Sequence, residues 1–381
     1  MLGFEQWLSS TMIIERIVGI GTYLLLLFIA YNEIKKVKKI KQLNRILNVY
    51  LVFLFLLGFF FIPDPSKDLY RWLNLSQNWE MLSVKDFFEK VAMQSGTPVS
   101  YFYIYLCRKS GIDGLLPGMC SLVFHYNVFK ILKITYKSEE YTGREIATSL
   151  LFFMCMGRML EAISGVRSMV AISILASCYV SELIGGKIEI KNIFFGIIAA
   201  LIHPLALALF IMRYVFVVFQ KSSKLIFRLF SLVVSTVLLY VLYRYGQLYL
   251  TGMFTKAESY LSGGHYVYTW EYIIAGIMWV ICFFIIKKAY AIKRTEGIGN
   301  LHDLLLFTTY LLIISAVLVI QYSMFHRLVT FNSMMILPVV AYVVKNCGYS
   351  RYYFRLKYAL WAVMLLAAAR GDLCGYMFFN L

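Results

Sequence analysis

Six segments of this chain, residues 12–31, 46–62, 225–243, 272–286, 304–320 and 358–369, are almost continuously apolar. Each approaches or reaches the roughly 20 residues with which a helix spans hydrocarbon. Inside a bilayer every backbone N–H and C=O must be satisfied within the protein, so only helices and closed barrels cross it. No ten-residue strands of alternating polarity occur, which argues against a barrel. Composition agrees: 61% of the residues are hydrophobic and the mean hydropathy is +0.72, whereas soluble domains sit near 45–50% apolar. The expectation is an all-α, polytopic helical membrane bundle. It has about 11–12 transmembrane segments, including a short broken hairpin, and residues 1–381 form a single membrane domain.

The formal net charge of +17 would suit a nucleic-acid binder if it were concentrated on one face. Instead the basic residues fall in short links between apolar runs, where they set orientation; no nucleic-acid partner is expected. Lys35, Lys36, Lys38, Lys39, Lys41 and Arg45 crowd the first link, which places that loop in the cytoplasm and the N-terminus outside. Later basic links at 130–144, 187–191, 221–228, 287–294 and 345–357 fit the same scheme. Glu5, Glu15 and Arg16 interrupt the start of the chain, so a cleaved signal peptide is not expected. Two longer external loops follow, 63–110 and 246–270. The first holds aromatic stretches at 69–79 and 101–106 that suit helices lying at the interface.

The segment 192–219 is flanked by basic residues on both sides yet has too few residues for two full crossings. Pro204 lies near its middle and disfavours helical geometry in the residue before it. Two short helices meeting at His203-Pro204 are therefore expected.

Several charges border or enter apolar segments on the side assigned as external: Arg158, Glu161, Arg167, His203, Arg213, His326, Arg327, Arg370 and Asp372. An intramembrane charge is costly and marks a functional-site candidate. Arg167 is expected to open a helix over 166–180, and Arg327 to open one over 328–344 directly after His326. A cation at a helix N-terminus opposes the helix dipole, a conflict that a neighbouring anion relieves. With His203 in a cap-like position before Pro204, three helix starts are expected to point at one external cavity suited to phosphate or diphosphate. The competing reading is that the arginines snorkel to headgroups and that His203 is a core residue. Among the acids, Asp64 suits a turn or cap. Asp68 precedes Tyr70, Arg71 and Trp72, a cluster suited to a polar ring-shaped ligand, and a carboxylate can take a proton from a sugar hydroxyl. Glu161 is a further candidate base or a partner for Arg158 or Arg167.

Other machinery is absent from the sequence. It has no nucleotide-binding glycine-rich loop and no serine-nucleophile or zinc-protease signature. The seven cysteines are scattered without metal or disulfide spacing, and His125, His265 and His302 are isolated. No cofactor or metal is expected.

Taken in order, Asp68-Leu69-Tyr70, Thr97-Pro98, 166–171 (Val-Arg-Ser-Met-Val-Ala), Leu201-Ile202-His203-Pro204 and His326-Arg327-Leu328 resemble the EpsG/Wzy-like polysaccharide polymerases, relatives of the O-antigen polymerases and ligases. The resemblance spans roughly residues 64–344. It departs from the family pattern at Ser168-Met169-Val170 and at Pro204. It implies a GT-C-like membrane fold in a bacterial cell (inner) membrane, with the site facing the periplasm or exterior. The implied reaction transfers a growing glycan from undecaprenyl diphosphate to the terminal sugar of an incoming lipid-linked repeat unit, for O-antigen, capsule or exopolysaccharide. Donor and acceptor are then undecaprenyl-diphosphate-linked oligosaccharides, with membrane lipids, a flippase and a chain-length regulator as partners. By this resemblance Arg167, Arg327 and His326 bind the diphosphate, Asp68, His203 and Glu161 are catalytic candidates, and Tyr70, Arg71 and Trp72 contact sugar. A flippase or transporter, another membrane glycosyl- or acyltransferase, and a non-catalytic scaffold are the rival readings. A transporter should place its charges near the midplane and show two related halves; no internal repeat is present here.

Overall fold

Helices are the only regular elements among the described residues of the computed structural model, which are 10–61, 68–92, 95–138, 141–156, 159–221, 229–230, 232–237, 240, 269–296, 301–348 and 350–369. Asp64, Arg158, Arg370, Asp372, Cys374 and nearly all of the loop expected at 246–270 lie outside them. In chain order the helices are α1 Ser10–Lys35, α2 Ile40–Phe59, α3 Asp68–Leu75, α4 Val84–Phe87, α5 Pro98–Lys109, α6 Leu115–Ser138, α7 Gly143–Met156 and α8 Met159–Ser164. They continue with α9 Ser168–Gly185, α10 Ile190–Ile202, α11 Pro204–Lys221, α12 Thr269–Glu296, α13 His302–Val317, α14 Tyr322–Met335, α15 Leu337–Cys347 and α16 Arg351–Ala369.

Length and apolarity qualify five of these stretches to cross a membrane: Ile40–Phe59, Leu115–Ser138, Ser168–Gly185, Tyr272–Lys293 and His302–Ile320. The pair α14 and α15, bent by 51° at Ile336, makes a sixth if it counts as one span. This all-α, multi-pass membrane architecture is the one expected from the apolar runs. The count is below 11–12 because α7, with 14 residues, and α10, with 13, are short on their own, and because parts of the chain lie outside the described residues. The expected hairpin is present. α10 ends at Ile202, His203 adopts an extended backbone (φ −152°, ψ 135°), and α11 begins at Pro204. At 1.5 Å per residue α10 is only about 20 Å long.

The chain divides into two compact units that interleave in sequence. The first comprises Met1–Glu80, Cys107–Met169 and Val340–Leu381; the second comprises Met81–Leu106 and Val170–Val339. In the first, α2 and α6 pack most extensively. A side chain at Gly58 would meet the Pro117 carbonyl oxygen at 2.8 Å, and one at Gly118 would meet the Phe55 ring at 2.9 Å. Small residues let two backbones approach in this way, and Ser121 Oγ donates across the contact to Leu54 O at 2.8 Å. In the second unit α10 folds back on α11, with the Phe210 ring over Gly196. There α12, α13 and α14 pack together, with Trp279 Nε1 donating to Leu312 O at 3.1 Å.

Candidate functional site

The loop expected at 63–110 contains short helices, as its aromatic stretches suggested, and the first of them, α3, lies in the first unit. In α3 the apolar Leu69 and Trp72 are buried while Asp68 and Arg71 face outward. The spacing of three residues brings Arg71 Nη2 to 2.8 Å from Asp68 Oδ1. α3 packs against α8, the short helix that carries Glu161. Gly165 closes α8 by donating its N–H to Glu161 O at 2.7 Å. A turn at 166–167 then leads into α9, with Val166 buried and its carbonyl accepting from Cys120 Sγ. This places Arg167 immediately before the first residue of α9, close to the position read from the sequence. Its guanidinium carbon lies 4.4 Å from the centroid of the Trp72 ring.

A guanidinium on an indole face is held by a cation–π contact and donates through the N–H groups at its rim. Asp68, Arg71, Trp72, Arg167 and the helix bearing Glu161 are thus brought into one neighbourhood. Tyr70 is half-buried on the same short helix. Trp72 itself is only 6% exposed. A ring that is buried and already carries an arginine is a poor sugar platform, so its expected sugar-stacking role is replaced by that of a seat for Arg167. Interface propensity alone does not separate these two uses of a tryptophan.

The second unit holds His203, His326 and Arg327. His203 acts as a cap: the Leu205 N–H donates to its Nδ1 at 3.1 Å, satisfying one of the orphan donors of the α11 N-terminus. An Nδ1 that accepts leaves Nε2 as the protonated nitrogen of the neutral ring, so His203 in this tautomer presents a donor and not a base. His326 and Arg327 do not open a helix. α14 starts at Tyr322, directly after Gln321 and a 3₁₀ turn over Leu318–Ile320, so both lie in its second turn. The expected start at 328 is corrected accordingly, and the dipole argument for Arg327 falls with it. His326 is buried and stacks on Tyr322 with centroids 5.6 Å apart.

Arg213 is buried within the second unit. It sits 3.6 Å from Glu182 of α9, and the two side chains are 8% and 5% exposed. Its Nε and Nη1 have no hydrogen-bond partner among the described residues. Glu182 is the residue that the sequence reading missed. The signal was available, because an arginine within an apolar helix demands a counter-charge, and few acids border those runs. Among the described residues no group of three or more His, Cys, Asp and Glu side chains could hold a metal ion.

The model of one protein family, described as the EpsG family, matches residues 80–370, well over half of the chain. Glu161, Arg167, His203, His326 and Arg327 fall within the matched span, whereas Asp68, Tyr70, Arg71 and Trp72 precede it. No curated protein and no solved structure matches.

Proposed function

Because the chain belongs to the EpsG family, we propose that it is a membrane glycosyltransferase that polymerises a polysaccharide from lipid-linked units. The observation that carries the reading is the arginine at the start of α9, seated on a buried tryptophan beside two carboxylate-bearing helices. The proposed donor is a glycan on undecaprenyl diphosphate, and the acceptor is the terminal sugar of the next lipid-linked repeat. The acceptor hydroxyl oxygen attacks the anomeric carbon of the donor. The bond from that carbon to the diphosphate oxygen breaks, and the diphosphate departs with the bonding electrons. Charge therefore develops on the diphosphate, and preorganised donors aimed there lower the barrier most. The Arg167 guanidinium supplies a planar fork that matches phosphate oxygens.

The hydroxyl proton passes to a carboxylate. Asp68 is engaged by Arg71, which suits that pair, with Tyr70, to holding sugar hydroxyls, and we assign the proton to Glu161, the carboxylate on the helix packed against α3. Within the second unit, taken by itself, His203 as an Nε2–H donor suits a phosphate oxygen better than a base role, and His326 and Arg327 stay proposed as phosphate contacts. We place the reaction on the outer face of a bacterial cell membrane, served by a flippase and a chain-length regulator.

The test is the pattern of lipid-linked glycans on a gel from cells with the protein, without it, and with Arg167→Ala. A ladder that collapses to single repeat units in both defective strains supports the reading; loss of one preorganised donor typically costs about 10²–10³-fold in rate. An unchanged ladder in all three rejects it. Single units held on the cytoplasmic leaflet of the strain lacking the protein favour a flippase instead.

A further inference from the structure

The first unit contains a cavity bordered by basic residues, apart from the Arg167 cluster. It has a volume of about 720 Å³ and is lined by Lys35, Lys36, Val37, Lys38, Tyr136, Lys137, Tyr141, Thr142 and Gly143. The lysines come from two links far apart in the chain, the α1–α2 turn and the α6–α7 connection. Orientation alone requires basic residues in such links, but it does not require them to surround one cavity.

The walls are built. Glu33 and Ile34 carbonyls accept the N–H groups of Lys36 and Val37 at 3.2 and 3.0 Å. Gln42 Oε1 accepts the N–H groups of Lys38 and Lys39 at 3.1 and 3.2 Å. The α1–α2 turn is therefore fixed from both sides. Gly143 brings the start of α7 against the end of α1 so closely that a Cβ there would collide with Ile34 O. Tyr141, 2% exposed, carries the Lys345 ammonium 5.1 Å above its ring.

The described acids beside the cavity are already committed. Glu33 pairs with Lys36 at 2.6 Å. Glu145 is buried, accepts from Thr142, and is paired with Arg144 at 2.7 Å. Lys35, Lys38 and Lys137 have no acidic partner among the described residues, outside which residues 139 and 140 lie. Three ammonium groups that no described acid pairs, set around one concave space, focus a positive potential into it. Lysine is a point-charge binder of phosphate, and basic pockets on the cytoplasmic side of membrane helices suit anionic headgroups.

We propose that this cavity binds the phosphate groups of an anionic phospholipid headgroup from the cytoplasmic leaflet, with Lys35, Lys38 and Lys137 as the binding charges. The site is independent of the polymerisation reading. Its test uses the full chain in detergent and in nanodiscs, with diphosphatidylglycerol, phosphatidylcholine and inorganic diphosphate as probes. Native mass spectrometry should show diphosphatidylglycerol retained through delipidation, with a saturable rise in Tm, and phosphatidylcholine lost.

Lys35→Gln/Lys38→Gln/Lys137→Gln should weaken retention about a hundredfold, while the triple arginine variant keeps it. Equal retention of the two lipids by the unaltered chain overturns the proposal without recourse to any variant. Retention unchanged in the folded glutamine variant overturns it too. Protection by inorganic diphosphate equal to that by the lipid would make this a soluble-anion site and also overturn the lipid assignment.

Discussion

Arg167 and Trp72 show how a single contact gives a charge its place. The arginine's position at a helix start is legible in the sequence, because Ser164-Gly165 ends one helix and an apolar run begins directly after. Its partner is not legible, since Trp72 lies in a different loop helix and an aromatic there is equally suited to an interface. If the ring orients the guanidinium, Trp72→Leu should lower polymer formation roughly tenfold, the scale of a desolvated cation–π contact. Trp72→Phe should recover most of it, and Arg167→Lys should recover little, because an ammonium lacks the planar fork. Each is read from the glycan ladder at matched protein level. Full activity in Trp72→Leu would remove the seat from the argument. Asp68 and Arg71 were likewise legible as a charged cluster, and their pairing follows from helical spacing once α3 is known to be a helix.

At the scale of elements, the break at His203-Pro204 was readable because proline restricts its predecessor locally. The start of α14 was not. No proline or capping residue marks Tyr322; a 3₁₀ turn and packing of Tyr322 on Tyr272, with centroids 4.8 Å apart, decide it. The pairing of α9 with α11 through Glu182 and Arg213 belongs to the same class. Removing one member of a buried pair strands the other charge, so Glu182→Ala should destabilise the protein by about 3–5 kcal/mol. The apolar double variant Glu182→Leu/Arg213→Met should regain most of that loss. Thermal unfolding in detergent checks both; a double variant no more stable than the single one would show that the pair is not acting as a unit.

Across the whole molecule, the charge asymmetry of the links gives a testable orientation. Cys347 ends α15 and is half-buried, on the side assigned to the cytoplasm. Cys107, in the loop assigned to the exterior, is buried, and that burial pushes its thiol up to about 11. In a chain carrying Cys374→Ser, an impermeant maleimide should label Cys347 only after the cells are permeabilised. Cys107 should react slowly at neutral pH and faster as the pH rises, since the thiolate is the nucleophile and its fraction grows about tenfold per unit below the pKa. Labelling of Cys347 in intact cells would invert the topology.

The sequence by itself determined that this chain is a helical membrane protein, where its basic links lie and where its hairpin breaks; of the two arginines it put at helix starts, it placed Arg167 correctly and Arg327 not. Those are consequences of segment length, hydrophobicity and proline stereochemistry, all local to a stretch of chain. Which charges meet was decided only by tertiary structure. Arg167 on Trp72, Arg213 against Glu182, and the lysines of two links around one cavity are pairings between distant segments. Helix packing and close approach at small residues such as Gly143 set them, and no local pattern encodes a partner.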